Sequence, residues 1–232
     1  MPESTITERI AHLNDTIHQL ECAYNRPSGA VQLLAVSKRQ PAPSIQEAFN
    51  AGQRDFGENY LQEAQAKIKL LNHLPLIWHF IGPIQSNKTK HIANDFSWVH
   101  SVCRYKIALQ LNDARADELP RLNICLQVNL DGEETKSGIT PELITDLVIA
   151  VSQVPRLQLR GLMVIPKPQE TEQQQYLSFL RLTQMLHSLN QQLNLSMDTL
   201  SMGMSDDLQA AIRAGSTMVR IGRAIFGERT TN

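Results

Sequence analysis

The sequence predicts a closed (β/α)8 barrel of TIM-barrel architecture, an α/β fold in which eight parallel strands alternate with helices. Three observations predict it. Eight short apolar runs recur along the chain, each bounded by turn signals and followed by a helical pattern. The 232 residues fit a fold that typically takes about 250. No linker, repeat or low-complexity stretch divides the chain, so residues 1–232 are expected to form a single domain. Several runs are only four residues long, and a doubly wound open sheet remains the alternative.

The elements follow in order. Thr5-Ile-Thr-Glu8 is a capping box, and Ile6, Ile10, Leu13, Ile17 and Leu20 at helical spacing make an extra helix before the first strand. Leu33 to Lys38 is that strand. Ser44-Ile-Gln-Glu47 reads as a second capping box, opening a short helix that closes at Gly52. Arg54–Gly57 is a brief strand and turn, Glu58–Leu71 a helix, and Leu76–Gly82 the third strand. Asn87–Ala93 is helical, Trp98–Ser101 a weakly marked strand, Tyr105–Leu119 a helix and Asn123–Asn129 the fifth strand. Thr140-Pro141 is a cap followed by proline in the first turn, starting a helix through Val151. Leu157–Val164 is the sixth strand, and Glu172–Leu193 a long helix with Phe179, Leu182, Leu186, Leu189 and Leu193 on one face. Thr199–Met202 is the seventh strand, Ser205 caps a helix ended by Gly215, and Thr217–Ile221 is the eighth strand.

Composition removes several function classes. With 22 basic and 23 acidic residues the chain has no electrostatic footprint for nucleic acid or an anionic membrane. The start, Met1-Pro2-Glu3-Ser4, carries no signal-peptide pattern, and no window reaches the length of a membrane span. Cys22, Cys103 and Cys125 are odd in number and widely spaced, and the seven histidines show no metal-ligand spacing. These features fit a soluble protein of the reducing cytoplasm.

Lys38 is the most informative residue. A buried parallel strand is a poor place for an ammonium group unless the amine does chemistry at the strand's end. A desolvated lysine loses its proton more readily and condenses with carbonyls; otherwise Lys38 simply turns into water. The barrel favours the first reading, because sites in this fold lie at the C-terminal strand ends and closure puts the eighth strand beside the first. Arg220-Ile-Gly-Arg223 spans the end of that eighth strand. Gly222 lets backbone approach a ligand, and a short helix starting there offers N–H groups to an anion; a turn plus amphipathic closing helix is the lesser alternative for the same stretch. Asp206 and Asp207 occupy the helix start after the seventh strand, so the phosphate is assigned to the backbone of Gly222 and Arg223, with Ser201 as a side-chain donor. An amine beside an anion cradle selects a phosphorylated aldehyde or ketone, either a sugar phosphate or pyridoxal phosphate.

LLAVSK (33–38), FGENYLQE (56–63), WHFIGPIQSNK (78–88), LSMGMSDD (200–207) and VRIGRAIFG (219–227) together carry a resemblance over the whole chain. The sequence resembles the pyridoxal phosphate homeostasis proteins, relatives of the alanine racemase barrel and of the fold-type III pyridoxal phosphate class. The resemblance implies that Lys38 holds pyridoxal 5'-phosphate as a Schiff base and that Ser201, Gly222 and Arg223 contact the phosphate. It also implies that Arg220 faces the pyridine nitrogen, and that Asn59 and His79 line the pocket. Met163 is expected in the barrel interior beside the ring. His79 reads equally as a hydrogen-bonded core histidine, and Asn59 as a helix N-cap. A guanidinium at the pyridine nitrogen leaves the ring unprotonated and argues against transaminase chemistry.

Alanine racemases add a C-terminal domain that brings a tyrosine base, and this sequence stops five residues after Gly227. Of Tyr24, Tyr60, Tyr105 and Tyr176, only Tyr60 is kept as a pocket candidate. The expectation is therefore a non-catalytic carrier that buffers pyridoxal phosphate and delivers it, with apoenzymes as recipients and a monomer as the working form. A small amino-acid racemase using Lys38 is the alternative, and a sugar-phosphate lyase a third. Lys136 reads as a solvated loop lysine or as a second, transient amine. Arg39 and Lys88 are expected as rim charges, and Met202 and Met204 as gap fillers.

Overall fold

The computed structural model describes residues 4–133 and 137–227; Lys136 lies outside the described residues. The chain runs α1 (Ile6–Ala23), β1 (Gln32–Val36), α2 (Ala42–Asn50), β2 (Asp55–Glu58), α3 (Leu61–Leu70), β3 (Ile77–Phe80), α4 (Thr89–Asp95), β4 (Trp98–Val102), α5 (Tyr105–Ala114), β5 (Leu122–Val128), α6 (Ile144–Ser152), β6 (Leu157–Val164), α7 (Glu172–Leu193), β7 (Thr199–Ser201), α8 (Leu208–Arg213), β8 (Met218–Ile221) and α9 (Arg223–Phe226). The strands close in sequence order into one parallel barrel. The seam is made by β1 and β8, with Gln32 opposite Met218 and Ala35 opposite Ile221.

Alternation along the strands divides the interior in two. Leu33, Ala35, Phe56, Trp78, Phe80, Val99, Ile124, Leu126, Leu162 and Val219 point outward and pack under the helices in one apolar cluster. Their neighbours point inward, and there Asp55, His79, His100, Ser201 and Arg220 make the lumen unusually polar. α1, opened by the Thr5 capping box, packs on α2, α8 and α9 outside the β1–β8 seam.

Four local readings are corrected. Ser44 does not cap α2; Pro41 occupies the cap position and Ser44 falls inside the helix, because Pro41 and Pro43 pre-set the backbone for an earlier start. Glu58 belongs to β2 rather than to a helix, and α3 starts at Leu61 with Tyr60 at its cap. Asn59 is therefore not an N-cap. Ser205 likewise caps nothing, since α8 begins after Asp207, and α5 ends at Ala114 rather than Leu119.

Candidate functional site

The β1 ladder continues one bond past the strand, Ser37 N–H donating to Gly57 O at 3.0 Å. Lys38 follows at once, half-buried at the C-terminal mouth of the barrel. Arg39 takes a left-handed φ of 61°, turning the chain away from the strand direction. Buried charge holds this turn from below. Lys67 Nζ donates to Ser37 O at 2.7 Å, Glu58 Oε1 at 2.7 Å and Glu63 Oε1 at 2.5 Å. The Ser37 hydroxyl donates to Glu58 Oε1 at 2.6 Å, and the Arg39 N–H donates to Glu63. Both peptide neighbours of Lys38 are thus fixed, and the amine projects from a rigid base. Burial raises the Glu58 pKa above the usual carboxylate range, against the pull of Lys67 and Ser37. Sequence reading missed this base, although a lysine on the face of α3 that buries Leu61 and Ala64 was its visible signal.

The anion side lies across the seam. A Cβ on Gly222 would meet Val36 O at 3.2 Å, so the β8 end lies directly against the β1 end. Gly222 O accepts from Ile225 and Phe226, while the N–H groups of Arg223 and Ala224, first in α9, have no place in its helical ladder. From the loop after β7, Met204, Ser205 and Asp206 reach the same space. Gly203, at φ 99°, turns that loop.

Lys38, Asn59, Arg220, Gly222 and Arg223 all line one cavity of about 310 Å³, walled by Val36, Ile81 and Ile165 and completed by Ser205. This is enough for a small phosphorylated aromatic ligand. Asn59 Oδ1 is buried without a partner among the described residues, an acceptor that a ligand could use. Its backbone is admitted by Gly82, where a Cβ would sit only 2.1 Å from Asn59 O. Arg220 is buried at the cavity floor, and burial lowers its pKa to about 10, opposed by Asp207 and Cys125.

Four of the anticipated residues do not line the cavity. His79 is fully buried in the lumen, its Nε2 3.0 Å from Asp55 Oδ1 and its Nδ1 2.9 Å from His100 Nε2; it is the core histidine rather than a ligand neighbour. Ser201 is also fully buried, its hydroxyl taken by His100 and Arg220, so Ser205, one turn of loop beyond the strand end, is the hydroxyl that faces the cavity. Met163 packs in the lumen below, 1% exposed. Tyr60 is 48% exposed and lies in a neighbouring groove with Lys88, and the Arg39 guanidinium stands 6.0 Å from its ring.

Comparison with known proteins shows the family and the fold. Residues 11–230 match the family model "Alanine racemase, N-terminal domain". A pyridoxal phosphate homeostasis protein of Pseudomonas aeruginosa is 56% identical over 226 residues, covering 97% of this chain and 96% of the relative. This chain belongs to the pyridoxal phosphate homeostasis protein family. A member from Escherichia coli strain K12 is 47% identical over 227 residues, covering 97% of each. Among solved structures, PipY of Synechococcus elongatus PCC7942 with PLP bound superposes with a TM-score of 0.86 at 38% identity, over 96% of this chain and 100% of that one. The barrel described above is thus the fold shared with PipY over nearly the whole chain.

Proposed function

We propose that this protein binds pyridoxal 5'-phosphate reversibly through Lys38 and buffers its supply, without turnover of its own. One observation carries the reading: an amine and two backbone segments able to take an anion, from opposite ends of the sequence, line the same small cavity together with a guanidinium. The donor set fits the group. Pyridoxal phosphate brings an aldehyde for an amine, a phosphate for N–H donors and a ring nitrogen for a hydrogen-bond donor. Lys38 supplies the amine, held on the Lys67–Glu58 base. The backbone of Gly222 and Arg223 and the Ser205 hydroxyl take the phosphate. Arg220 donates toward the ring nitrogen and, being charged throughout the physiological range, keeps that nitrogen unprotonated. That choice weakens the ring as an electron sink and suits storage more than carbanion chemistry. Relatives named as homeostasis proteins support the same conclusion.

The reading extends to a single-domain monomer of the cytoplasm that passes its cofactor to pyridoxal-phosphate-dependent apoenzymes. Three free cysteines support a reducing compartment, and no described helix is long and apolar enough to cross a membrane. The test is borohydride reduction of the protein incubated with pyridoxal phosphate, followed by peptide mapping. A pyridoxyl group on Lys38, and its loss in Lys38→Ala, is expected; an unmodified Lys38 overturns the reading. Incubation of the loaded protein with each L-amino acid, followed by chiral analysis, tests the absence of turnover, which sustained racemisation would refute.

A further inference from the structure

The lumen of the barrel contains a continuous line of polar contacts that ends at the cavity. It starts at Asp55 on β2, passes through His79 on β3 and His100 on β4, crosses to Ser201 on β7 and reaches Arg220 on β8. β4 and β7 are not neighbours in the barrel, so the 2.8 Å contact between His100 Nδ1 and Ser201 Oγ spans the interior.

The proton positions along this line are fixed from the Asp55 end and are compatible with the Arg220 end. A carboxylate only accepts and a guanidinium only donates. The Asp55 carboxylate therefore takes its hydrogen from His79 Nε2. With one proton per ring, His79 Nδ1 must accept from His100 Nε2, and His100 Nδ1 must accept from the Ser201 hydroxyl. That leaves the Ser201 lone pairs toward Arg220, whose Nη1 donates to Ser201 Oγ at 3.0 Å and Ser201 O at 2.6 Å. Arg220 Nη2 donates to Val164 O at 2.9 Å. Three of the five guanidinium hydrogens are held this way, which sets the plane of a group that lines the cavity floor.

Any second proton on either ring breaks the sequence of donors, and the surroundings oppose one. Both rings are fully buried, which lowers both pKa values; His79 is partly compensated by Asp55, whereas the charge of Arg220 depresses His100 further. The other titratable groups facing Arg220 are Asp207 and Cys125. Trp98 stacks on His79 with ring centroids 5.4 Å apart and planes 8° apart, fixing the ring that fixes His100.

We propose that His100 is a positioning residue for Arg220, acting through the Ser201 hydroxyl to set the guanidinium that meets the ligand ring. The proposal rests on the cofactor reading above, but its first test does not. Long-range 1H–15N correlation on the ligand-free protein with labelled histidine is expected to show His79 and His100 protonated at Nε2 only near neutral pH, with His100 unchanged from pH 5.5 to 8. A His100 protonated at Nδ1, or titrating within that range, overturns the proposal whether or not the protein binds pyridoxal phosphate.

The second test reads affinity and the absorbance spectrum of bound pyridoxal phosphate. His100→Leu and Ser201→Ala are each expected to weaken binding about tenfold and shift the absorbance band. His100→Asn, which keeps an acceptor at the Nδ1 position, should stay within about threefold of the parent. His100→Leu should cost nothing further in an Arg220→Ala or Ser201→Ala background, and should leave competition by inorganic phosphate unchanged. Additive losses, or equal damage from Leu and Asn, refute a role through Ser201. Absence of binding by the parent protein would instead count against the cofactor reading alone, leaving the tautomer measurement to decide this one.

Discussion

Replacing Lys67 by Met isolates the base beneath Lys38. The ammonium has three acceptors within 2.7 Å and is buried with Glu58, which has no exposed surface. Its removal leaves the Glu58 carboxylate buried with only the Ser37 hydroxyl, and its Oε2 is already without a partner. Breaking one side of a buried pair costs roughly 3–5 kcal/mol, and protonation of Glu58 relieves part of this, so about 3 kcal/mol is expected. For a chain of this size that corresponds to a fall in Tm of roughly 6–12 °C. The loss also has a defined pH dependence. The Glu58 pKa is raised by burial and pulled back by Lys67. A raised carboxyl pKa contributes stability below its unfolded value, and the contribution is lost as pH rises through the folded value. Without Lys67 the folded value climbs further, so the deficit of Lys67→Met must widen from pH 5 to pH 8. Calorimetry of both proteins across that range measures it. The double variant Lys67→Met/Glu58→Leu should recover most of the loss, since a buried pair replaced by apolar groups is often nearly neutral. A deficit below about 1 kcal/mol, or one independent of pH, refutes the buried-base account.

Three further outcomes follow from the geometry. Gly82→Ala drives a Cβ against Asn59 O at 2.1 Å, so it should destabilise by about 2 kcal/mol or more and weaken pyridoxal phosphate binding, checked by denaturant unfolding and fluorescence titration. Gly222→Ala meets Val36 O at a tighter-than-usual 3.2 Å, so a stability loss near 1 kcal/mol should accompany a disproportionate loss of phosphate-end affinity, measured by competition with inorganic phosphate. Cys125 is fully buried and its pKa is pushed up to about 12 by burial, whereas Cys22 is exposed; at pH 8 a thiol reagent should modify Cys22 promptly and Cys125 only on unfolding, as mass spectrometry would report.

The barrel was legible because its longest elements carry unambiguous periodicity. The predicted β6 and α7 match their observed bounds, α7 having 22 residues and a row of leucines with which to declare its face. Short elements beside polar clusters were misread. Glu58 looked like a helix start because its reason for lying in a strand is Lys67, nine residues away on another element. The two serines of the β7 region show the same limit. Ser201 and Ser205 are equivalent as residue types, and only the pleat, which turns Ser201 into the lumen, and the loop beyond it, which carries Ser205 to the mouth, tell them apart. His100 gave no local signal at all, since its defining partner is 101 residues further along the chain. Lys38, Gly222 and Arg223 could be placed at the cavity because each lies at a strand end of the barrel, whereas Asn59 and Arg220 were placed there by the family resemblance.

The meeting of the first and last strands also governs when the protein becomes competent. Lys38 and the Gly222–Arg223 backbone lie more than 180 residues apart in sequence, yet they share a wall only after the ring of strands has shut. A polypeptide still emerging from the ribosome presents the amine without anything to grip the phosphate. On the proposed reading, capture of the aldehyde is therefore reserved for the finished molecule, and incomplete chains compete poorly with it for the cofactor.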